Sequence, residues 1–557
     1  MNRASTMTSA SDLAQRRLSY PATTMAVWAP SLAAVYGDRP AVIDGDRVLT
    51  YNDLDARSAQ FAGVLHEAGV RARDVVLLHL GNCVEFHIAY YGALRVGAAV
   101  TLVNPLQPEP GLRRQIEETS AAAAVTGSAQ ADTLFRAASG TSIRLIAVVS
   151  DEAVTAPGAV RFGDALEGRP QTFEPVVTSP DDIAHIAYTG GTTGISKGVR
   201  VLHRNVVGNV TQMCAWRAGH QLVADVDGRI SLEPIGDLKI AGAVPGQGST
   251  IVVSPLFHAH ALINTSFLLA CGLTQVLAGR FDPARMLELI ERYEAGYITG
   301  SPAMWHALAT HPDVETRDLS TVRVVSSGAA PIDHVTLGNL ERAFPNARIA
   351  EGYGLTEGTC VVTAMPLVID SEYRLGSVGL PVFDTELEIR SQIDPTVVLP
   401  DGELGELWIR GPQVTDGYLG HPEITAEQYV DGWLATGDIA YRDADGFVYI
   451  ADRAKDMLIY KGYNVYPREL EEILVTHPKV STAAVVGREA GAIGQEPVAF
   501  VVPVDGEEPA AEELKAYVAE QVLPYKKIRE VVVVDALPTS AAGKILKTDL
   551  RSRLTVS

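Results

Sequence analysis

Residues 188–198 read YTGGTTGISKG, glycines set among Thr189, Thr192, Thr193 and Ser196 and closed by Lys197. Backbone curled at Gly190, Gly191 and Gly194 can turn several amides toward one point, the hydroxyls add donors, and the ammonium adds a mobile positive charge. Together these suit phosphate oxygens. The Walker order would follow Gly-Lys with a hydroxyl. Here Lys197 stands after Ser196 and before Gly198, so an ordinary P-loop NTPase is not expected. DDIAHIAY (181–188) alternates as a strand does and HRNVVGNVTQMCAW (203–216) has helical spacing, so the loop is expected at a strand end, ahead of a helix.

Further stretches follow in a fixed order: SPLFHAHAL (254–262), SSGAAPI (326–332), EGYGLTEGT (351–359), WLATGDIAYRDADGFVYIADRAKDMLIYKGYNVYPRELEE (433–472) and PTSAAGKILKTDL (538–550). With the glycine loop they make the chain, from about Tyr51 to Leu550, resemble the adenylate-forming (ANL) superfamily of acyl-CoA synthetases, luciferases and peptide-synthetase adenylation domains. In texture it is similar to fatty-acyl-CoA and 4-coumarate:CoA ligases. The resemblance implies an α/β fold, with a large amino-terminal domain of several subdomains and a smaller mobile α+β carboxy-terminal domain.

It also implies roles. Tyr353 is expected against adenine, Thr356 on phosphate, and Glu357 as the carboxylate that holds Mg²⁺. Asp438 in TGD is expected to hold the ribose, where one carboxylate can accept from two hydroxyls. Arg453 matches the arginine of a GRxKD motif, written here ADRAKD with Asp452 in place of glycine, and Lys455 falls at the hinge. Lys544 would bridge the acid and the α-phosphate during adenylation, His258 would lie beside the reacting carboxyl, and Lys461 and Gly462 would serve the CoA end. Gly328, Ala329, Ala330, Glu351, Gly352 and Gly354 are expected around nucleotide and acid. The motifs expected to surround the acid, PLFHAHAL (255–262), YITGSPAMW (297–305), SSGAAP (326–331) and EGYG (351–354), hold no arginine or lysine to partner a second carboxylate, so an aromatic or fatty acid fits better than a dicarboxylate.

The expected reaction is ATP-dependent formation of an acyl-AMP with loss of pyrophosphate, followed by transfer to CoA. Other acceptors stay open: a carrier-protein thiol, an amine, or an aromatic amine meeting activated nitrite. A nucleotide-binding module without catalysis is the rival of a different class.

A length of 557 residues favours more than one domain. Residues 1–20 are expected to be disordered, 21–452 to form the adenylation domain with an exposed hairpin or loop insertion near 217–250, and 453–557 the mobile domain. Asp-Gly pairs at 401–402, 431–432 and 445–446 point to a small antiparallel subdomain. SAAAAVTGSAQA (120–131) reads as a helix edge. A net charge of −21 argues against a nucleic-acid partner. The four cysteines are too dispersed for a zinc site or disulfide framework, and neither a secretory signal nor a membrane span is apparent, which favours the cytoplasm. Sequence sets no oligomeric state.

Overall fold

The structure, a computed structural model, describes residues 17–554 apart from 155, 157, 190–195, 237–239, 329–331, 333, 369–372, 462 and 540–544. A seven-stranded sheet runs in the spatial order Ala159–Arg161, Leu145–Val149, Ala123–Gly127, Val75–His79, Ala99–Leu102, Ile183–Thr189, Lys197–Leu202. Its strands pair in parallel except the last two. Strands of a parallel sheet lie covered on both faces, and small side chains fit there. That is why the alanine-rich stretch expected at a helix edge is instead a buried strand, with Ala122, Ala123 and Ala124 each at most 2% exposed.

The glycine loop differs from its expected setting. Ile183–Thr189 and Lys197–Leu202 are antiparallel, with Thr189 opposite Lys197, so residues 190–195 connect a hairpin and a strand intervenes before the next helix. No helix N-terminus follows the loop directly. Residues 190–195 themselves lie outside the described residues.

The helix His203–Ala218 is buried along nearly its whole length and joins the layers. Its polar side chains bond to main chain arriving from elsewhere. Asn205 donates to the carbonyls of Pro412 and Val414, Asn209 donates to that of Val361, and Gln212 to that of Phe383. Satisfied in this way, buried amides fix the packing register instead of opposing it.

A five-stranded sheet follows the order Tyr297–Gly300, Val324–Ser327, Arg348–Gly354, Val361–Ala364, Leu380–Pro381, parallel in its first three strands. Beyond it, Glu386–Arg390, Gly405–Arg410, Tyr429–Val430, Trp433–Arg442 and Val448–Arg453 form an antiparallel sheet. Asp431 and Gly432 both have positive φ, 52° and 78°, and turn the chain from Val430 into Trp433. After Arg453 come the hairpin Leu458–Tyr460/Tyr463–Val465 and a three-stranded sheet, Val480–Glu489, Gln495–Pro503 and Glu530–Val533. Leu458, Val465, Leu470, Leu474, Val485, Val501 and Leu514 pack there into an apolar cluster of their own.

Two expectations about the periphery need correction. Residues 17–20 are held in place: the backbone N–H of Leu18 and the hydroxyl of Tyr20 donate to Asp384, and Arg17 pairs with the same carboxylate. The segment near 217–250 does contain a hairpin, His220–Ala224 with Ile230–Pro234, but Arg217 and Ala218 still belong to the preceding helix. The hairpin is also docked. Leu222 and Ile230 are buried, Ile230 N–H donates to Ser31 Oγ, and Thr23 Oγ1 donates to the Gly228 carbonyl.

Candidate active site

The strand Arg348–Gly354 carries EGYG outward, from buried Glu351 to exposed Gly354. Gly354 is required by close approach, because a Cβ there would stand 1.6 Å from the Cys360 carbonyl oxygen. Tyr353 donates its hydroxyl to Asp438 Oδ2 at 2.5 Å. Burial, reinforced by the Asp438 charge, holds that phenol well above its ordinary pKa, so it remains a donor. Asp438 lies directly opposite Arg453 across paired strands, with Arg453 Nε 3.3 Å from Oδ1. Tyr353, Asp438 and Arg453 therefore form one connected group.

Thr356 opens the short turn Thr356–Gly358, which presents Glu357. Its Oε1 accepts from Tyr418 at 2.8 Å, and the Glu357 carbonyl accepts from Thr415 N–H and Oγ1, both at 2.9 Å. Strand Lys197–Leu202 lends its edge to 417–419: Arg200 N–H donates to Gly417 O and Leu419 N–H to Gly198 O. This pairing lays the Lys197 ammonium over the Tyr418 ring, 5.3 Å from its centre. Tyr418 thus joins the lysine of the glycine loop to Glu357. Burial and then the Glu357 charge raise its phenol, so it keeps its proton at neutral pH.

Lys455 lies two residues beyond Arg453, past the end of the Val448–Arg453 strand. Burial and the Arg453 charge lower its ammonium, while Asp456, Asp438 and Glu357 act against that shift, which puts Lys455 in the field of both carboxylates. Glu351 is otherwise engaged: Oε1 accepts from Ile332 N–H and Oε2 from Tyr373, so both oxygens are committed to holding the wall.

His258 caps the helix Ala259–Ala270, its ring 4.5 Å from that of Phe257. Its Nε2 is buried without a partner among the described residues, and burial lowers its pKa, which keeps the ring neutral. His260 is pushed down to about 4 by burial, with Arg217 and His258 adding to the effect. Gly328 and Gly352 face this region: a Cβ on Gly328 would stand 3.5 Å from His260 Nε2, and one on Gly352 3.6 Å from Arg217 Nη2.

Lys461 sits in the turn of the 458–465 hairpin at φ 50°, its N–H donating to Ile493 and its ammonium beside the Tyr460 ring. No described contact brings it to the Asp438 or Glu357 groups. Gly190, Gly191, Thr192, Thr193, Gly194, Ala329, Ala330, Gly462 and Lys544 lie outside the described residues. Lys544 is bracketed by the paired residues Thr539 and Ile545.

Among the described residues no three acidic, histidine or cysteine side chains gather as a closed metal cage. Glu357 alone suits a smaller demand, because Mg²⁺ carried by a nucleotide keeps waters and phosphate oxygens and needs only one or two protein carboxylates.

Residues 31–419 match the AMP-binding enzyme family, and residues 469–544 match the AMP-binding enzyme C-terminal domain. The chain belongs to the AMP-binding enzyme family. 4-Coumarate--CoA ligase 2 of Nicotiana tabacum is 36% identical over 532 residues, covering 93% of this chain and 92% of the relative. The anthranilate CoA ligase AuaEII in complex with anthranoyl-AMP superposes with a TM-score of 0.84 at 23% identity, covering 96% and 98% of the two chains. ATP-bound MatB from Rhodopseudomonas palustris superposes with a TM-score of 0.83 at 25% identity, covering 94% and 98%. This AMP-binding enzyme therefore has the adenylate-forming α/β fold with a large first and a smaller second domain, and is an AMP-forming, ATP-dependent acid ligase. None of its described helices is long and apolar enough to cross a membrane.

Tyr418 and Arg217 belong to the site region without belonging to any motif. No sequence signal marked Tyr418, since its position follows from strand pairing between distant segments. Arg217 carried a signal in retrospect, as a charge in the last turn of a helix otherwise fit only for burial.

Proposed function

We propose that the enzyme activates an aromatic carboxylic acid as its acyl-AMP and passes the acyl group to CoA. The observation that carries this reading is the convergence of two groups, Lys197–Tyr418–Glu357 and Tyr353–Asp438–Arg453, on either side of the turn 354–357. One suits a polyphosphate and the other a nucleoside.

In the first half-reaction an oxygen of the acid attacks the α-phosphorus of ATP in line, and the bond to pyrophosphate breaks. Lys197, Thr356 and the loop amides hold phosphate oxygens, and Lys544 spreads charge between the acid and the α-phosphate. Asp438 accepts from the ribose hydroxyls while Tyr353 borders the adenine. His258, neutral through burial, directs a ring nitrogen to the reacting carboxyl. Glu357 would hold Mg²⁺, which supplies charge neutralisation on the phosphates.

The second half-reaction forms the thioester bond to CoA sulfur and breaks the acyl–phosphate bond, releasing AMP. The region after Arg453 turns about Lys455, withdrawing Lys544 and presenting Lys461 and Gly462 to the pantetheine arm. The similarity to 4-coumarate–CoA ligases supports an aromatic acid and a CoA acceptor.

The test is incubation with ATP, Mg²⁺, CoA and a panel of cinnamic, benzoic and fatty acids. AMP, pyrophosphate and thioester should appear in equal amounts with the aromatic acids. Release of ADP, or no nucleotide turnover with any acid, would overturn the reading, and AMP formed without CoA consumption would reassign the acceptor.

A further inference from the structure

Arg217, in the last turn of the 203–218 helix, is 3% exposed, and among the described residues no carboxylate lies within ion-pair distance of it. Its Nη1 donates to the hydroxyls of Tyr297 and Ser326. Its Nε has no partner among the described residues, and neither has the hydroxyl of the neighbouring Ser327, itself 3% exposed. A guanidinium cannot shed its charge by deprotonating, and keeping it from water without a counter-ion is costly. Neutral hydroxyls compensate only in part. The arrangement is that of a cation awaiting an anion.

The location says which anion. Gly352 puts no side chain before Nη2: a Cβ there would stand 3.6 Å from Nη2 and 3.0 Å from the Thr363 carbonyl oxygen. His260 lies close enough for the Arg217 charge to help lower its pKa. Helix 259–270 starts at His258, and His260, Asn264 and Phe267 follow on one face. Phe267 then meets the edge of Tyr297, whose hydroxyl contacts Arg217. From His258 to Phe267 is roughly 13 Å along the helix axis, enough for an aromatic ring beyond the reacting carboxyl.

The geometry points to an acid substrate that carries a second carboxylate at its far end, received by Arg217 with Tyr297 and Ser326 holding the guanidinium in place. This rests on the reading above that His258 marks the reacting end. The motifs expected around the acid contain no such cation; a helix outside them supplies it. A bidentate guanidinium–carboxylate contact would relieve the orphaned Nε and select diacids over monoacids of the same shape.

The experiment compares 4-carboxycinnamate with 4-methylcinnamate, similar in shape and different in charge, by initial rates of pyrophosphate release with Mg²⁺-ATP. Wild type should favour the diacid by at least about 10-fold in kcat/KM, and Arg217→Met should reduce that ratio by about 100-fold. Tyr297→Phe, a milder change, should lower the ratio several-fold and covers the case in which Arg217→Met does not fold. Equal rates for the two acids in wild type, or an unchanged ratio in both variants, would overturn the inference while leaving adenylation intact. Failure of every acid to release pyrophosphate would instead remove the proposed function. In that event calorimetry with the diacid alone still decides, since binding to wild type no tighter than to Tyr297→Phe refutes the assignment.

Discussion

Asp438 shows how much a single side chain can be asked to hold. Its carboxylate accepts from Tyr353 on one oxygen and faces Arg453 on the other, and it is only 5% exposed. Removing one neutral donor to a charged acceptor typically costs about 1.5–3 kcal/mol. Tyr353→Phe should therefore raise KM for ATP by roughly 10-fold or more, with kcat less affected, measured as pyrophosphate release at varied ATP. Lys544→Ala tests the division between half-reactions. ATP–pyrophosphate exchange should fall by about 100-fold or more, whereas conversion of supplied acyl-adenylate to thioester should persist, and equal loss of both would sink that division. Motifs made Asp438 and Arg453 legible in the sequence, but not their pairing, because cross-strand partners depend on register. Tyr418 was illegible for the same reason at longer range. The motif marked Glu351 but not the partners of its oxygens, Ile332 N–H and the Tyr373 hydroxyl, which come from outside that motif.

Among the elements, the junction after the 448–453 strand is tied by buried charge. Asp452, where related motifs have glycine, accepts from the N–H of Arg468 in the first turn of helix Pro467–Val475, and from Arg453 N–H. It thereby caps that helix. Lys547, at the start of helix Lys547–Leu554, pairs with Glu471 at 2.8 Å. Burial alone would lower this ammonium, but Glu471 and Asp452 outweigh it and hold it raised. Deleting one member of such a pair strands the other. Lys547→Met should destabilise the carboxy-terminal region by about 3–5 kcal/mol, and adding Glu471→Leu should recover most of that, both read by urea unfolding. Patterning in the sequence reached the strands and helices themselves. It failed at the alanine-rich 123–127 strand, whose small residues suit a doubly covered sheet and a helix alike, and at the glycine loop, where the returning strand Lys197–Leu202 went unread.

Across the whole molecule, stability should depend on acid through several buried histidines. Burial lowers His79, His203 and His260 to about 4 and His185 to about 3, from an ordinary 6.5. The unfolded chain then binds more protons than the folded one below 6.5, so this contribution is complete above that value and is lost as pH falls toward 4. The urea midpoint should accordingly decline through this window, and His203→Gln should flatten the decline if the variant folds. Family membership and general architecture could be read from the order of motifs, because that order reflects the whole chain. The docking of the 220–234 hairpin and of residues 17–20 could not, since it depends on surfaces that exist only after folding. Arg453, the strand partner of Asp438, also leads directly into the last region of the chain. With Asp438 in its proposed role as ribose acceptor, an incoming sugar would share or displace that guanidinium, so occupancy by adenosine alone, without any phosphate, should alter how readily a protease cuts the segment after Arg453. Nucleoside recognition would then be the trigger that primes the swing, before any bond in the substrate has been made or broken.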